Sequence, residues 1–179
     1  GAEPRAPAAE APAPHLLVVN RAAVIDMSEA ARALAETERE MRARVQAENE
    51  RVQAALEAEE RELVELRESL EPDAFDARAR DFDRRVRAER RKAQERGALL
   101  LRFLQDARAA LVSALPRVLE GLRREMGAAV ILDAGAVLAA HPSLDVTEAA
   151  VAAYDRAMGD VRFDPPRELR PPEPGEAAD

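Results

Sequence analysis

The stretch that decides the fold runs from Ser28 to Asp73 and reads SEAARALAETEREMRARVQAENERVQAALEAEERELVELRESLEPD. The stretch holds no Pro or Gly before Pro72, and Ser28 is a favourable N-cap residue. These features predict a helix of about 43 residues, on the order of 65 Å long. Large apolar residues recur at alternating gaps of 7 and 4, at Leu34, Met41, Val45, Val52, Leu56 and Leu63. This 11-residue repeat predicts one narrow apolar stripe almost parallel to the helix axis.

A break at Glu71–Pro72–Asp73 separates this helix from a second one, predicted from about Ala74 to Gly127. Pro disfavours a helical conformation in the residue before it, and Asp73 can cap the second helix. Pro116 is expected to kink or restart that helix. Two long helices joined by a tight break are typical of an antiparallel hairpin. Opposite net charges, -6 over residues 36–71 and +3 over residues 73–96, favour the pairing, although a solvated surface is the plainer interpretation of most of them.

Short apolar runs flank the hairpin. Residues 16–20 (LLVVN) and 130–133 (VILD) each predict a strand, and residues 137–140 (VLAA) predict a third. Residues 145–148 (DVTE) have capping-box spacing and predict a last short helix to about Met158. The predicted fold class is α+β, mostly α. Three short strands supply too few large apolar residues for a monomeric core, which indicates an oligomer with a shared head.

The predicted organisation combines these patterns with the Pro-rich ends. It comprises a disordered tail (1–14), a head strand (15–27), the helical hairpin (28–126, tip near 71–73), head strands with a short helix (127–158) and a second disordered tail (159–179).

Composition narrows the function. The chain has no Cys, which excludes disulfides, Cys-ligated zinc and thiol catalysis. Its two histidines, His15 and His141, lie beside Pro-containing segments with no catalytic or metal-ligand pattern, so we predict no catalytic residue, no metal, no cofactor and no enzyme activity. A net charge of -8 argues against nucleic acid as a partner. A nucleic-acid binder that uses a stripe of basic residues is a weaker alternative, and its affinity would fall steeply with salt.

Three stretches in order resemble the Skp/OmpH family of periplasmic chaperones. They are residues 17–31, with Leu17-Val18-Val19-Asn20 and Ser28-Glu29-Ala30-Ala31; residues 130–137 (VILDAGAV); and residues 144–147 (LDVT). Each motif is short, but their order and spacing around a hairpin of the expected length make the resemblance fairly specific.

The resemblance implies a periplasmic homotrimer whose signal peptide has been removed. Head strands of three chains would form a small β-barrel, and three hairpins would surround a cavity that holds unfolded outer-membrane β-barrel proteins without ATP. The residues expected in the trimer head are Leu17, Val18, Val19, Val24, Val130, Ile131, Leu132 and Val137. This chain is acidic, with a pI of about 5.0, whereas the well-studied enterobacterial chaperone of this family is strongly basic, so at most a weak contact with membrane or lipopolysaccharide is expected.

The hypothetical client-binding residues are apolar side chains near the tip: Leu56, Leu63, Leu66, Leu70, Phe75 and Phe82. The alternative is that they only hold the two helices together. A basic cluster at Arg84, Arg85, Arg87 and Arg91 is either a contact for anionic clients or lipid, or a partner for the acidic first helix.

A second function class stays open. A hairpin adaptor or structural protein would dock on one folded envelope or export partner through its tip, at Leu70, Pro72 and Phe75. Promiscuity separates the two, because a chaperone should hold several unrelated unfolded proteins.

Overall fold

The computed structural model describes residues 15–170, which divide into two compact units. The head unit comprises residues 15–32 and 111–161, and the hairpin unit comprises residues 33–110 and 162–170. The helices and strands are β1 (Leu16–Val19), α1 (Arg21–Asp26), α2 (Glu29–Leu66), α3 (Pro72–Glu125), β2 (Val130–Asp133) and α4 (Thr147–Met158). The mostly helical class is confirmed. The predicted tail 1–14 lies outside the described residues.

The sheet of the head unit has two parallel strands and is not closed into a barrel. β1 pairs with β2 in a register that joins Leu16 to Val130 and Val19 to Asp133. The strand predicted over residues 15–27 is too long, because Asn20 accepts a hydrogen bond from the Ala23 amide at 3.0 Å and so caps α1. Asparagine is among the strongest N-cap residues, and this signal was present in the sequence.

The third predicted strand is wrong. Residues Ala134–Ala136 form a 3-10 helix, and Val137 is extended (φ -110°, ψ 121°) without a strand partner among residues 15–170. Leu138 next to it is fully exposed. An apolar extended segment therefore follows the second strand in sequence, and the sheet has only two strands among residues 15–170.

The capping box predicted at residues 145–148 is replaced by a different turn. α4 begins at Thr147, and the Asp145 carboxylate accepts hydrogen bonds from the Thr147 amide at 2.8 Å and its hydroxyl at 2.6 Å. These bonds lower the pKa of Asp145. The Thr147 hydroxyl in turn accepts from the Asn20 amide at 3.0 Å, which ties the start of α4 to the end of β1.

The long helices begin at the cap residue expected for α2 but not at the one expected for α3. The Ser28 hydroxyl accepts from the Ala31 amide at 3.1 Å and so caps α2 as predicted. Asp73 is not the cap of α3, since the helix already begins at Pro72, a residue well suited to the first helical position.

Pro116 neither ends nor restarts α3, which is continuous from Pro72 to Glu125. The carbonyl of Val112, which loses its helical donor at Pro116, belongs to an exposed residue that water can reach. α3 ends at Glu125, close to the end predicted near Gly127. Gly127 has φ 63°, and the Ala128 amide returns to the Arg123 carbonyl at 3.0 Å, as in a Schellman motif.

Polar contacts between α2 and α3 in the hairpin unit show that the two helices are antiparallel. Arg85 pairs with Glu59, Arg96 with Asn49 and Arg108 with Glu38, at sequence separations of 26, 47 and 70 residues. The partners of each pair lie nearly equally far from Pro72 along the chain. The buried apolar side chains of the two helices in this unit are Leu34, Met41, Leu63, Leu100, Leu104 and Ala107.

The predicted disorder of residues 159–179 is wrong for residues 159–170; residues 171–179 lie outside the described chain. Arg167–Leu169 form a 3-10 helix, and Leu169 is only 4% exposed. We call residues 162–170, which belong to the hairpin unit, the C-terminal strap.

Candidate functional site

The six predicted client-binding residues all lie along the hairpin near its tip, and none is fully exposed. Leu63 is buried, at 9% exposure, and the other five are half-buried. Leu63 and Leu66 line a cavity of about 240 Å³ whose other walls are charged, formed by Glu59, Glu62, Arg78, Asp81 and Arg85. These apolar side chains therefore pack the helices together and still leave part of their surface accessible beside charged groups.

The basic cluster divides into paired and unpaired members. Arg85 bonds across the hairpin to Glu59, and Arg84 bonds to Asp81 one turn earlier on α3. Arg87 and Arg91 are exposed and form no ion pair with any described residue. Of the four guanidinium groups in the cluster, these two are the ones available to an external anion.

Arginines on α2 itself, with a smaller contribution from α3, favour the charged form of two carboxylates of α2. Glu38 accepts from Arg42 at 2.9 Å on its own helix and is also bonded by Arg108 from α3. These guanidinium groups lower the pKa of Glu38 despite its partial desolvation. Glu48 has its pKa lowered in the same way, chiefly by Arg51.

The eight predicted head residues fall into two sets. Leu17, Val18, Val19 and Val24 are buried within the head unit of one chain. Val130, Ile131 and Val137 are half-buried, and Leu132 is 40% exposed. Leu16 and Leu138, which belong to the runs predicted to form head strands, are also exposed.

A second apolar surface, not predicted from the sequence, lies midway along the hairpin unit. We call it the mid-hairpin groove. It comprises two cavities, of about 540 and 610 Å³, which share Arg96 and Glu168. The first is further lined by Lys92, Glu95, Ala98, Leu99 and Arg102, and the second by Arg44, Val45, Ala47, Glu48, Arg51, Leu169 and Arg170.

One sequence signal pointed to this groove. Leu169 is the single large apolar residue between Phe163 and the C-terminal end of the sequence. A lone Leu in a Pro-rich segment has no core of its own to join, so its burial requires another surface of the protein.

Groups with catalytic or metal-binding potential are sparse. His141 Nδ1 lies 2.7 Å from the Ser143 hydroxyl, a pairing that we did not expect, and it also accepts from the Ser143 amide as the cap of the 3-10 helix Pro142–Leu144. Both residues are exposed, so the pair has the features of a turn cap. Within residues 15–170 no three His, Asp or Glu side chains are grouped to hold a metal ion. None of the helices in the described range has the length and apolar character needed to cross a membrane.

The chain therefore combines a small parallel sheet with a long antiparallel helical hairpin that carries partly exposed apolar side chains. The family model described as outer membrane protein (OmpH-like) matches residues 21–154. The chain belongs to this OmpH-like family.

A solved structure agrees. The crystal structure of an OmpH-like protein from Caulobacter crescentus CB15, titled as a candidate outer membrane chaperone, matches with a TM-score of 0.78 and 25% identity. The match covers 89% of this chain and 95% of the Caulobacter chain. Comparison with curated proteins gives no significant match.

Proposed function

We propose that this protein is an ATP-independent periplasmic holdase, which binds unfolded outer-membrane β-barrel proteins and prevents their aggregation. It acts as a homotrimer whose three hairpins surround the client. The observation that carries the proposal is the extent of the family match, which includes residues of both the head unit and the hairpin unit.

A free strand edge and exposed leucines in the head unit support assembly into a trimer. The outer edge of β2 has no strand partner within the described chain, and free strand edges are templates for pairing with another chain. Leu16, Leu132 and Leu138 are exposed in the same unit. A barrel built from three heads would cover these side chains, with the extended backbone at Val137 pairing to a neighbouring chain.

The hairpin offers the kind of surface that a promiscuous binder needs. Such a binder makes many weak contacts, so that diverse sequences can bind and leave. The half-buried residues Leu56, Leu66, Leu70, Phe75 and Phe82 supply apolar contacts between charged groups. Arg87 and Arg91 supply cations for acidic clients, or for a weak contact with lipid phosphates.

Aggregation assays test the proposal. Several unrelated β-barrel proteins, diluted from urea, should stay soluble in the presence of the protein and aggregate without it. A double variant, Phe75→Ser with Phe82→Ser, should hold clients more weakly while its oligomeric mass is unchanged. Val64→Ser is the matched control, because Val64 is 67% exposed near the same tip and is not among the proposed contacts.

Two results would contradict the proposal. If no unfolded client is protected and one folded partner binds instead, the tip-docking adaptor is the better account. If the Phe75/Phe82 variant loses its oligomeric mass, these aromatic residues are structural.

A further inference from the structure

The C-terminal strap has a defined conformation of its own. The Leu169 amide donates to the Pro166 carbonyl at 2.9 Å, and Arg170 donates from its amide to Arg167 at 3.0 Å and from Nε to Pro165 at 2.7 Å. The adjacent prolines fix two backbone φ angles, which reduces the entropy lost on ordering the segment. These bonds and prolines restrict the backbone of the strap, and so they limit the directions in which the Leu169 side chain can point.

That side chain is Leu169. It is 4% exposed, although it follows a Pro-rich stretch with no core of its own. It lines the larger cavity of the mid-hairpin groove together with Val45 and Ala47 of α2. Leu169 is thus buried beside a cavity that Val45, a member of the apolar stripe beginning at Leu34, also lines.

Charge complements this anchor. Glu168 lines both cavities of the groove, and so does Arg96. The remaining charged lining residues of the hairpin are mostly basic: Arg44, Arg51, Lys92 and Arg102 against Glu48 and Glu95. Glu48 and Arg51 are bonded to each other at 2.8 Å, and Lys92 is bonded to Glu89 at 2.8 Å, so of these four cations Arg44 and Arg102 form no ion pair with any described residue. The groove therefore favours a carboxylate beside an aliphatic side chain.

The groove also keeps an unused hydrogen-bond donor. Arg96 donates from Nη2 to Asn49 at 2.9 Å, but its Nε is buried without a partner among the described residues. A buried donor without an acceptor is unfavourable, and a carbonyl or carboxylate oxygen of a bound chain would satisfy it. Both cavities retain open volume with the strap in place.

We propose that the mid-hairpin groove is a client-docking site and that the strap is its resident competitor. The site takes an extended polypeptide segment with a carboxylate next to an aliphatic side chain, the chemistry that Glu168 and Leu169 present. A client must displace these residues, so the strap sets the affinity at which clients are retained. This inference rests on the proposed holdase function and adds a site and a control device to it.

The size of the effect depends on the occupancy of the strap. If the strap occupies the groove nine-tenths of the time, the apparent affinity for a segment that needs the same groove is reduced about tenfold. Releasing the strap should raise the apparent affinity of the groove for such a segment by the same factor of about ten.

The experiment compares the full chain with Leu169→Glu, which removes the anchor, and Glu168→Lys, which reverses the charge facing the basic groove. Leu101→Glu is the matched control, because Leu101 is 55% exposed on α3 and lines neither cavity. Client dissociation constants are measured with one labelled unfolded β-barrel protein. Trypsin cleavage after Arg167 reports directly whether the strap is docked; the bond after Arg170 precedes Pro171 and resists trypsin in either state.

We expect Leu169→Glu to bind the client up to about tenfold more tightly, Glu168→Lys to show a smaller gain, and Leu101→Glu to match the unmodified chain. The strap of the unmodified chain should resist trypsin and become cleavable when client is added. A strap that stays protected with client bound, or a Leu169→Glu variant that binds as the unmodified chain does, would overturn the inference while leaving the holdase function intact. Failure of every variant, the unmodified chain included, to bind client would overturn the proposed function and this inference with it.

Discussion

Tyr154 donates its hydroxyl hydrogen to the backbone carbonyl oxygen of Leu111 at 2.6 Å, and both side chains are buried. The bond joins α4 to α3 within the head unit, across 43 residues of sequence. Burial, and secondarily the charge of Asp155, raise the pKa of the Tyr154 phenol. The single tyrosine of the chain is therefore a structural bond donor in the head, and its neutral form is the stabilising one.

Tyr154→Phe should lower the free energy of unfolding by about 1 kcal/mol, because it removes this hydrogen bond and keeps the ring. Tyr154→Ala should cost more, about 3–5 kcal/mol, since the ring is fully buried. Urea unfolding followed by circular dichroism measures both. Equal stability of the Phe variant and the unmodified chain would show that the bond contributes nothing.

Alkaline pH should destabilise the head through the same residue. Because the folded-state pKa of Tyr154 is raised above the ordinary value of about 10, its contribution to stability is fully present below pH 10. The contribution is lost as pH rises through the folded-state pKa. The chain has one Tyr and no Trp, so phenolate absorbance titrates this group alone. Titration at or below pH 10 in the folded protein would contradict the buried environment.

Asp155 caps a helix that begins far away in sequence. Its Oδ1 accepts from the Glu29 amide at 2.8 Å, at the first residue of α2. Asp155→Ala should cost about 1 kcal/mol, the usual effect of losing a cap. Glu148→Ala is the control, an exposed carboxylate on the same helix that should change stability by less than about 0.5 kcal/mol. Equal losses in the two variants would argue against a capping role.

The apolar stripe between α2 and α3 should dominate the stability of the hairpin. Leu104 is 1% exposed, and Leu104→Ala should cost about 2–5 kcal/mol through lost burial and a residual cavity. Leu101→Ala, at an exposed position of the same helix, should cost less than about 0.5 kcal/mol. Thermal unfolding of both variants measures the difference, and similar melting temperatures would mean that the stripe is not the core.

Local signals predicted the helices well and the head less well. The absence of Gly and Pro between Ser28 and Pro72 was sufficient to predict α2, and Gly127 marked the end of α3 through its left-handed backbone. Asn20 was predicted to be the last residue of a strand, but it caps α1. The prediction failed because strand and cap signals overlap in so short a segment.

The remaining differences have tertiary causes. The extended segment at Val137 has strand composition, but pairing depends on a partner that residues 15–170 do not supply. Pro166 and Arg167 were predicted to be tail residues, yet the segment is ordered because Leu169 is buried in the hairpin unit. The residues proposed to bind clients differ from packing residues only in their degree of burial, which periodicity alone does not give.

Sedimentation equilibrium of the full chain tests the central claim, a caged holdase, most directly. The account predicts a single species with three times the 19.6 kDa mass of one chain, because a trimer would pair the open sheet edge and cover the exposed leucines of the head. A stable monomer or dimer would contradict the cage and would favour the tip-docking adaptor.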